Sequence, residues 1–172
     1  LANTCLTFPR TSIFRIMKLI LLQVGKTKDR YVEEGISEFV KRLRAFCDLE
    51  IITLKESTGD KSRERHMKEE GETILEKLSK HTDYHKILLG IKGKNPSSEE
   101  FAAQVKHIRD FGTGKLLIVI GGPYGVSEDV INACDSVLSF GRMTFTHQMI
   151  RLMLLEQLYR AFAIITGKEY HY

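Results

Sequence analysis

The sequence predicts an α/β fold, a parallel sheet with helices on both faces. Three observations carry this. Five short apolar runs alternate with stretches of helical period, the pattern of strand–helix–strand units. The runs, such as "KLILLQV" and "KLLIVI", lack a period of two, as expected of strands covered on both sides. A chain of 172 residues is also long enough to bury a core on each face of one sheet.

Each element follows in order. "KLILLQV" (18–24) is a buried strand ended by Gly25, with the basic turn "KTKD" after it. Asp29 is a plausible N-cap, and Tyr31, Val32, Gly35, Ile36, Phe39, Val40 and Leu43 then repeat at helical spacing. "LEIITL" (49–54) is the second strand, and a polar stretch over 55–65 turns near Gly59 and Asp60. A charged amphipathic helix runs to about Lys80, with Met67, Ile74, Leu75 and Leu78 toward the core. "HKILLGI" (85–91) is the third strand and "KGKNPSS" a loop. Ser97 or Ser98 caps a helix carrying Phe101, Val105 and Ile108. "KLLIVI" (115–120) is the fourth strand, Ser127 opens a short helix, "SVLSF" (136–140) is the fifth strand, and a long helix fills roughly 146–166. The first sixteen residues read as an extension or a mis-called start, and a single domain is expected over 17–172. They carry Arg10 and Arg15 and lack the apolar core of a secretory signal.

Composition narrows the function. The formal charge is +4, which permits a nucleic-acid partner without demanding one. Cys5, Cys47 and Cys134 are odd in number and far apart. That argues against a disulfide framework or a zinc site and suits a reducing cytoplasm. No apolar run reaches the ~20 residues of a membrane span. His81 and His85 are four apart, but "HTDYH" lacks the glutamate of a zinc-protease helix and reads as two surface histidines. No metal is expected. The Lys/Arg cluster in 61–68 is interleaved with Glu64 and reads as a solvated face.

In an open α/β sheet, ligands bind beyond the carboxyl ends of the strands, where "GGPYG" (121–125) falls. Gly121 and Gly122 let backbone approach a ligand, and Pro123 stiffens the exit. The spacing matches neither a P-loop nor a Rossmann glycine motif. The next helix begins Ser127-Glu128-Asp129, whose acids would repel a phosphate at that helix end. A ligand there is therefore not a di- or triphosphate; a tight turn with no ligand accounts for the motif equally well. In the last third, the apolar residues of 149–165 wrap more than one face. A single sheet cannot bury them all, which points to a partner helix from a second copy of the chain. Glu156 and Arg160 form an i,i+4 pair, and His147 and Arg151 share a face near the helix start.

"MKLILLQVGKTKD", "LLGIKGK", "LLIVIGGPYGVSEDV", "MTFTHQMIRLMLLEQLYRAF" and "GKEYHY", in that order from Met17 to the end, resemble the SPOUT-class 23S rRNA pseudouridine-N3 methyltransferases, the ribosomal RNA large subunit methyltransferase H family. The resemblance implies a parallel α/β sheet whose C-terminal segment forms a trefoil knot. It implies a homodimer that transfers methyl from S-adenosyl-L-methionine to N3 of a pseudouridine in 23S rRNA on the assembled ribosome. It places the cofactor against backbone at Leu89, Gly121 and "FGRMTF", that is Phe140, Gly141, Arg142, Met143, Thr144 and Phe145. Such a ligand carries a sulfonium and an amino group but no phosphate, so the acidic helix start tolerates it, and Leu89, Met143 and Phe145 could line an adenine slot.

Holding the acceptor nitrogen in line with the methyl is catalysis by proximity and orientation. The N3 proton must also leave, and His147 or His171 is the hypothesised acceptor. Lys26, Lys28, Arg142, Arg151, Tyr170 and His171 are the candidate RNA contacts. The tail departs from the family ending at Glu169 and Tyr172, and Tyr172 could stack on a base. Two readings stay beside this one: a SPOUT methyltransferase with another RNA target, and a nonenzymatic RNA-binding module. The intact "GGPYG" and "MTFTHQ" favour the enzyme. A flavodoxin-like nucleotide protein is disfavoured by the acidic helix start.

Overall fold

A computed structural model describes residues 16–170. Five strands, β1 (Met17–Val24), β2 (Cys47–Leu54), β3 (His85–Lys94), β4 (Lys115–Ile120) and β5 (Ser136–Leu138), alternate with helices α1 (Arg30–Leu43), α2 (Arg63–Lys80), α3 (Ser98–Asp110), α4 (Glu128–Asn132) and α5 (Met149–Thr166). The sheet order is β2-β1-β4-β3-β5 and every pairing is parallel. All strand carboxyl ends therefore lie along one edge.

Alternating side chains send the apolar runs to two faces. Leu19, Leu21, Leu116, Ile118 and Ile87 pack under α1, α3 and α5. Ile20, Leu22, Leu117, Val119 and Leu88 pack under α2 and α4. The predicted parallel sheet with helices on both faces is the observed one. Local chemistry sets the helix starts. Ser97 Oγ accepts from Glu100 N while Glu100 Oε2 accepts from Ser97 N, a complete capping box. Ser62 Oγ accepts from Arg65 N at 3.3 Å. Asp29 occupies the N-cap of α1 with no side-chain bond; its carbonyl takes the Val32 and Glu33 N–H groups instead.

Four details differ from expectation. "KGK" (92–94) continues β3 rather than forming a loop, because Ser139 N donates to Lys94 O at 2.7 Å and keeps the strand paired past a register shift. β5 stops at Leu138. The last helix starts at Met149 rather than near 146, although Thr146 Oγ1 does accept from Met149 N at 3.1 Å. Tyr31, placed on the inner face of its helix by spacing, is exposed.

Part of the apolar surplus of α5 is covered within the chain, while Met149, Ile150, Leu152, Met153 and Ile165 stay half-buried. α5 packs against both α1 and α3, so Leu154, Leu155, Leu158, Tyr159, Ala161, Phe162 and Ala163 are all buried. The argument that a partner helix must cover this surface fails for those residues; Ile164 stays exposed. No helix among the described residues is long and apolar enough to cross a membrane.

Candidate active site at the strand ends

Leu89 on β3 pairs in register with Ile120 on β4 and Leu138 on β5. Gly121 follows Ile120 directly, and Phe140 follows Leu138 by two residues. The fold thus gathers the three predicted cofactor segments on neighbouring strands, although Leu89 lies inside β3, which runs on to Lys94, rather than at its end. Leu89, Gly121, Phe140 and Gly141 are half-buried, whereas Arg142, Met143, Thr144 and Phe145 are exposed on the loop into α5.

The glycine turn is built tightly. Gly125 N donates to Gly122 O at 3.1 Å, closing a turn with Pro123 at its second position. A Cβ on Gly121 would lie 2.5 Å from Val126 Cγ1, and one on Gly122 would lie 2.3 Å from Glu70 Oε2. At Gly121, Val126 and the Gly125 backbone occupy the side-chain space, a packing reason for glycine beyond the ligand approach that the motif first implies; at Gly122 only the end of the Glu70 side chain does.

Helix α2 supplies the second of those neighbours and two more contacts to the turn, and spacing alone did not assign these residues a role. His66 is buried and stacks on Tyr124 with centroids 4.9 Å apart. Arg63 Nη2 donates to Tyr124 O at 3.1 Å. Glu70 is buried; its Oε1 accepts from Ser57 N at 2.9 Å and its Oε2 has no partner. A sequence signal did exist. His66, Glu70, Ile74 and Leu78 recur every four residues, so the first two share the stripe that packs inward. The rest of the basic cluster is solvated as expected, with Lys61 and Arg65 both paired to Glu69.

Burial pushes the Glu70 carboxyl up, against the pull of the Ser57 N–H. Between the unfolded pKa and this raised one, the native state holds more protons, so the group weakens folding as pH rises through that window. Glu70→Gln should therefore be more stable than the parent at pH 7.5 and equal to it at about pH 4, read from urea midpoints. Equal midpoints at both pH values would refute the assignment.

The loop into α5 is pinned at both ends. Ser139 is buried, with Oγ 3.1 Å from the carbonyls of Ile91 and Gly141. Gln148 Oε1 accepts from Lys28 N at 2.5 Å and Asp29 N at 3.1 Å. These bonds set the exposed Lys26 and Lys28 beside the loop carrying Arg142. Neither Ser139 nor Gln148 carries a sequence signal for this role. His147 is half-buried in the same loop, and burial, then Arg151, holds its imidazole below its ordinary pKa.

Arg151 is not where an RNA contact requires it. It is fully buried, with Nη2 donating to Val24 O at 2.5 Å and Nη1 to Thr27 Oγ1 at 3.0 Å. It fastens β1 to α5 instead of facing solvent. Tyr170 sits against Tyr159 with ring centroids 5.0 Å apart, and Arg160 lies 4.6 Å over its ring, so these contacts hold it along α5 rather than at the strand ends. His171 lies outside the described residues. Among the described residues no group of three His, Cys, Asp or Glu side chains could hold a metal ion.

The family described as "Predicted SPOUT methyltransferase" matches residues 17–171. The chain belongs to the SPOUT methyltransferase family. It is similar to Ribosomal RNA large subunit methyltransferase H of Carboxydothermus hydrogenoformans, 44% identical over 160 residues, which covers 90% of this chain and 99% of that protein. The proteins of the same name from Bacillus pumilus and Bacillus cereus are each 42% identical over the same shares. The strand-end cluster and the glycine turn thus lie within a chain of a methyltransferase family.

Proposed function

We propose that this SPOUT methyltransferase methylates N3 of a pseudouridine in 23S rRNA on the assembled ribosome, using S-adenosyl-L-methionine, as a cytoplasmic homodimer whose domain spans 17–172. The observation that carries the reading is the convergence of Leu89, Gly121 and the 140–145 loop at one sheet edge, in a chain whose relatives bear an rRNA methyltransferase name. The arrangement suits the cofactor. Backbone groups and apolar side chains dominate the three segments, and the following helix opens with Glu128 and Asp129, which favours a cationic ligand over a polyphosphate. In this reading the segment after β5 makes the family's knot crossing, supported by Ser139 bonding both Lys94 O and Ile91 O.

When bound, the cofactor supplies a methyl group already activated by its sulfonium. The protein's task is then to hold the acceptor base and take its proton. Gly121 and Phe140 offer backbone to the ligand, and Lys26, Lys28 and Arg142 lie exposed on the same rim for RNA phosphates. His147 is the proton acceptor in this reading, because its lowered pKa keeps the ring neutral at pH 7. Tyr170 reaches the substrate only if it leaves α5 or serves a second copy, which is the homodimer's place in the scheme.

Calorimetry and mapping test the whole reading. Purified protein should bind S-adenosylmethionine saturably, and restoring the gene to a deletion strain should return one methyl group to its 23S rRNA. Protein that ignores this donor while gripping ATP or NAD overturns the assignment. The proton acceptor has its own test. Single-turnover rates should fall only at a pH below the ordinary histidine value of 6.5, and that limb should vanish in His147→Gln with at least a tenfold slower rate. Only a modest drop in both His147→Ala and His171→Ala removes the histidine-base idea.

A further inference from the structure

We propose that a cavity between β1, β2 and α1 is a subsite for a second nucleotide of the RNA substrate, beside the methyl-transfer site and separate from it. The inference rests on the rRNA reading above for its choice of ligand, and on the cavity itself for everything else.

The cavity measures about 370 Å³, far more than the ~30 Å³ share of one water and within the size range of small-ligand pockets. Its wall holds an unmet hydrogen-bond requirement. Gln23 lines it and is only 6% exposed. Its Nε2 donates to Thr53 Oγ1 at 3.1 Å, while its Oε1 is buried without a partner. Exchanging the amide's two ends would move the deficit rather than remove it. Either way, one end of the amide is buried without a partner in a residue that lines the cavity. A nucleobase edge presents donors and acceptors side by side, so it satisfies the amide in both orientations.

The remaining lining holds one carboxylate, the exposed Glu33, alongside groups that suit the rest of a nucleotide. Ile36 and Ile51 offer apolar surface to a base face, and the exposed Lys26 stands at the rim, where a phosphate would lie. The location is also right. β1 lies next to β4, about 5 Å away at ordinary strand spacing, and β4 carries Gly121 at its end. Thr27, another lining residue, is the one that Arg151 grips from α5. The buried Arg151 therefore ties the cavity to the start of α5, next to the loop bearing His147. No residue of the cavity belongs to the Leu89, Gly121 and 140–145 group.

The test uses the full-length protein with S-adenosylmethionine present. Ser37 is exposed on α1 and lines the cavity, so Ser37→Trp plugs it from outside with little risk to folding. Ser37→Trp should raise KM for the ribosomal substrate at least tenfold, with kcat and cofactor affinity within twofold of the parent. Gln23→Leu should raise KM about fivefold. In the parent, adding AMP, CMP, GMP or UMP should shift the Gln23 side-chain amide resonance, and Ser37→Trp should abolish that shift. This titration needs no methyl transfer, so it separates the subsite from the rRNA reading. A parent that methylates no ribosome yet shows the shift still holds a nucleotide subsite. Parental KM in both variants with no shift overturns the inference. So does a Gln23 amide that shifts on dilution to monomer and not with nucleotides, because a second copy of the chain then fills the cavity.

Discussion

Arg151→Ala is expected to destabilise the protein by about 3–5 kcal/mol, because it opens a long-side-chain cavity and strips buried acceptors of their donors. The side chain is fully enclosed and bonds Val24 O and Thr27 Oγ1. Its charge is poorly placed. Position 151 lies in the first turn of α5, the positive end of the helix dipole, and burial pushes the guanidinium pKa down, relieved only by Glu56. Such a residue is retained for its bonds rather than its charge. With Gln148, it ties the end of β1, and the loop behind it, to the start of the last helix. Arg151→Met fills most of the volume without the charge and should lose only about 1–2 kcal/mol, since a hydrophobic replacement of similar size escapes the desolvation cost. Both variants release the β1–α1 loop and should slow methyl transfer. Guanidinium titrations with unchanged slopes read the stabilities. An alanine variant within 1 kcal/mol of the parent would mean that Arg151 does not hold these elements together.

Arg151 also shows where sequence reading stops. Its nearness to His147 is legible from the spacing, although His147 sits in the loop before α5 rather than on a shared helix face. Its burial is not, because an arginine at a helix start is usually solvated and only the packing of α5 against β1 encloses it. The same division recurs through the fold. β1 and β4 are continuous apolar runs and were readable because both faces are covered. The end of β3 was not, since "KGK" has loop composition and is held as strand by the backbone of Ser139. The apolar width of α5 was read correctly as demanding extra cover. Periodicity reports how much surface is apolar, not whether a neighbouring helix of the same chain or another copy covers it. At the site, the glycine turn was visible as a motif. Glu70 and His66 looked like part of a charged surface helix until the fold set them behind that turn.

Gly93→Ala should be the most damaging single methyl group in the chain. The added Cβ would lie 2.5 Å from Val137 O, 2.6 Å from Val137 C and 2.7 Å from Leu138 C. All three are backbone atoms of β5, so no side chain can swing aside to relieve the clash. Gly122 differs, because the atom in its way is the end of the Glu70 side chain. The strand must therefore move, and overpacking of this kind costs about 1–3 kcal/mol. The functional loss should be larger than the loss of stability. β5 leads directly into Ser139 and the 140–145 loop, and the bond from Ser139 N to Lys94 O adjoins the clash. Shifting that loop by about 1 Å relative to Gly121 should cost on the order of 100-fold in methyl transfer. Calorimetric affinity for S-adenosylmethionine should fall at least tenfold in the same variant. The comparison that isolates the cause is Gly59→Ala. Its Cβ would meet nothing nearer than Lys61 Cε at 3.9 Å, though its φ of +99° carries backbone strain of its own. That variant should lose stability yet keep its affinity for the donor. If Gly93→Ala binds the donor as tightly as the parent, the β3–β5 contact does not shape the cofactor pocket, and the placement of the site on these strand ends fails with it.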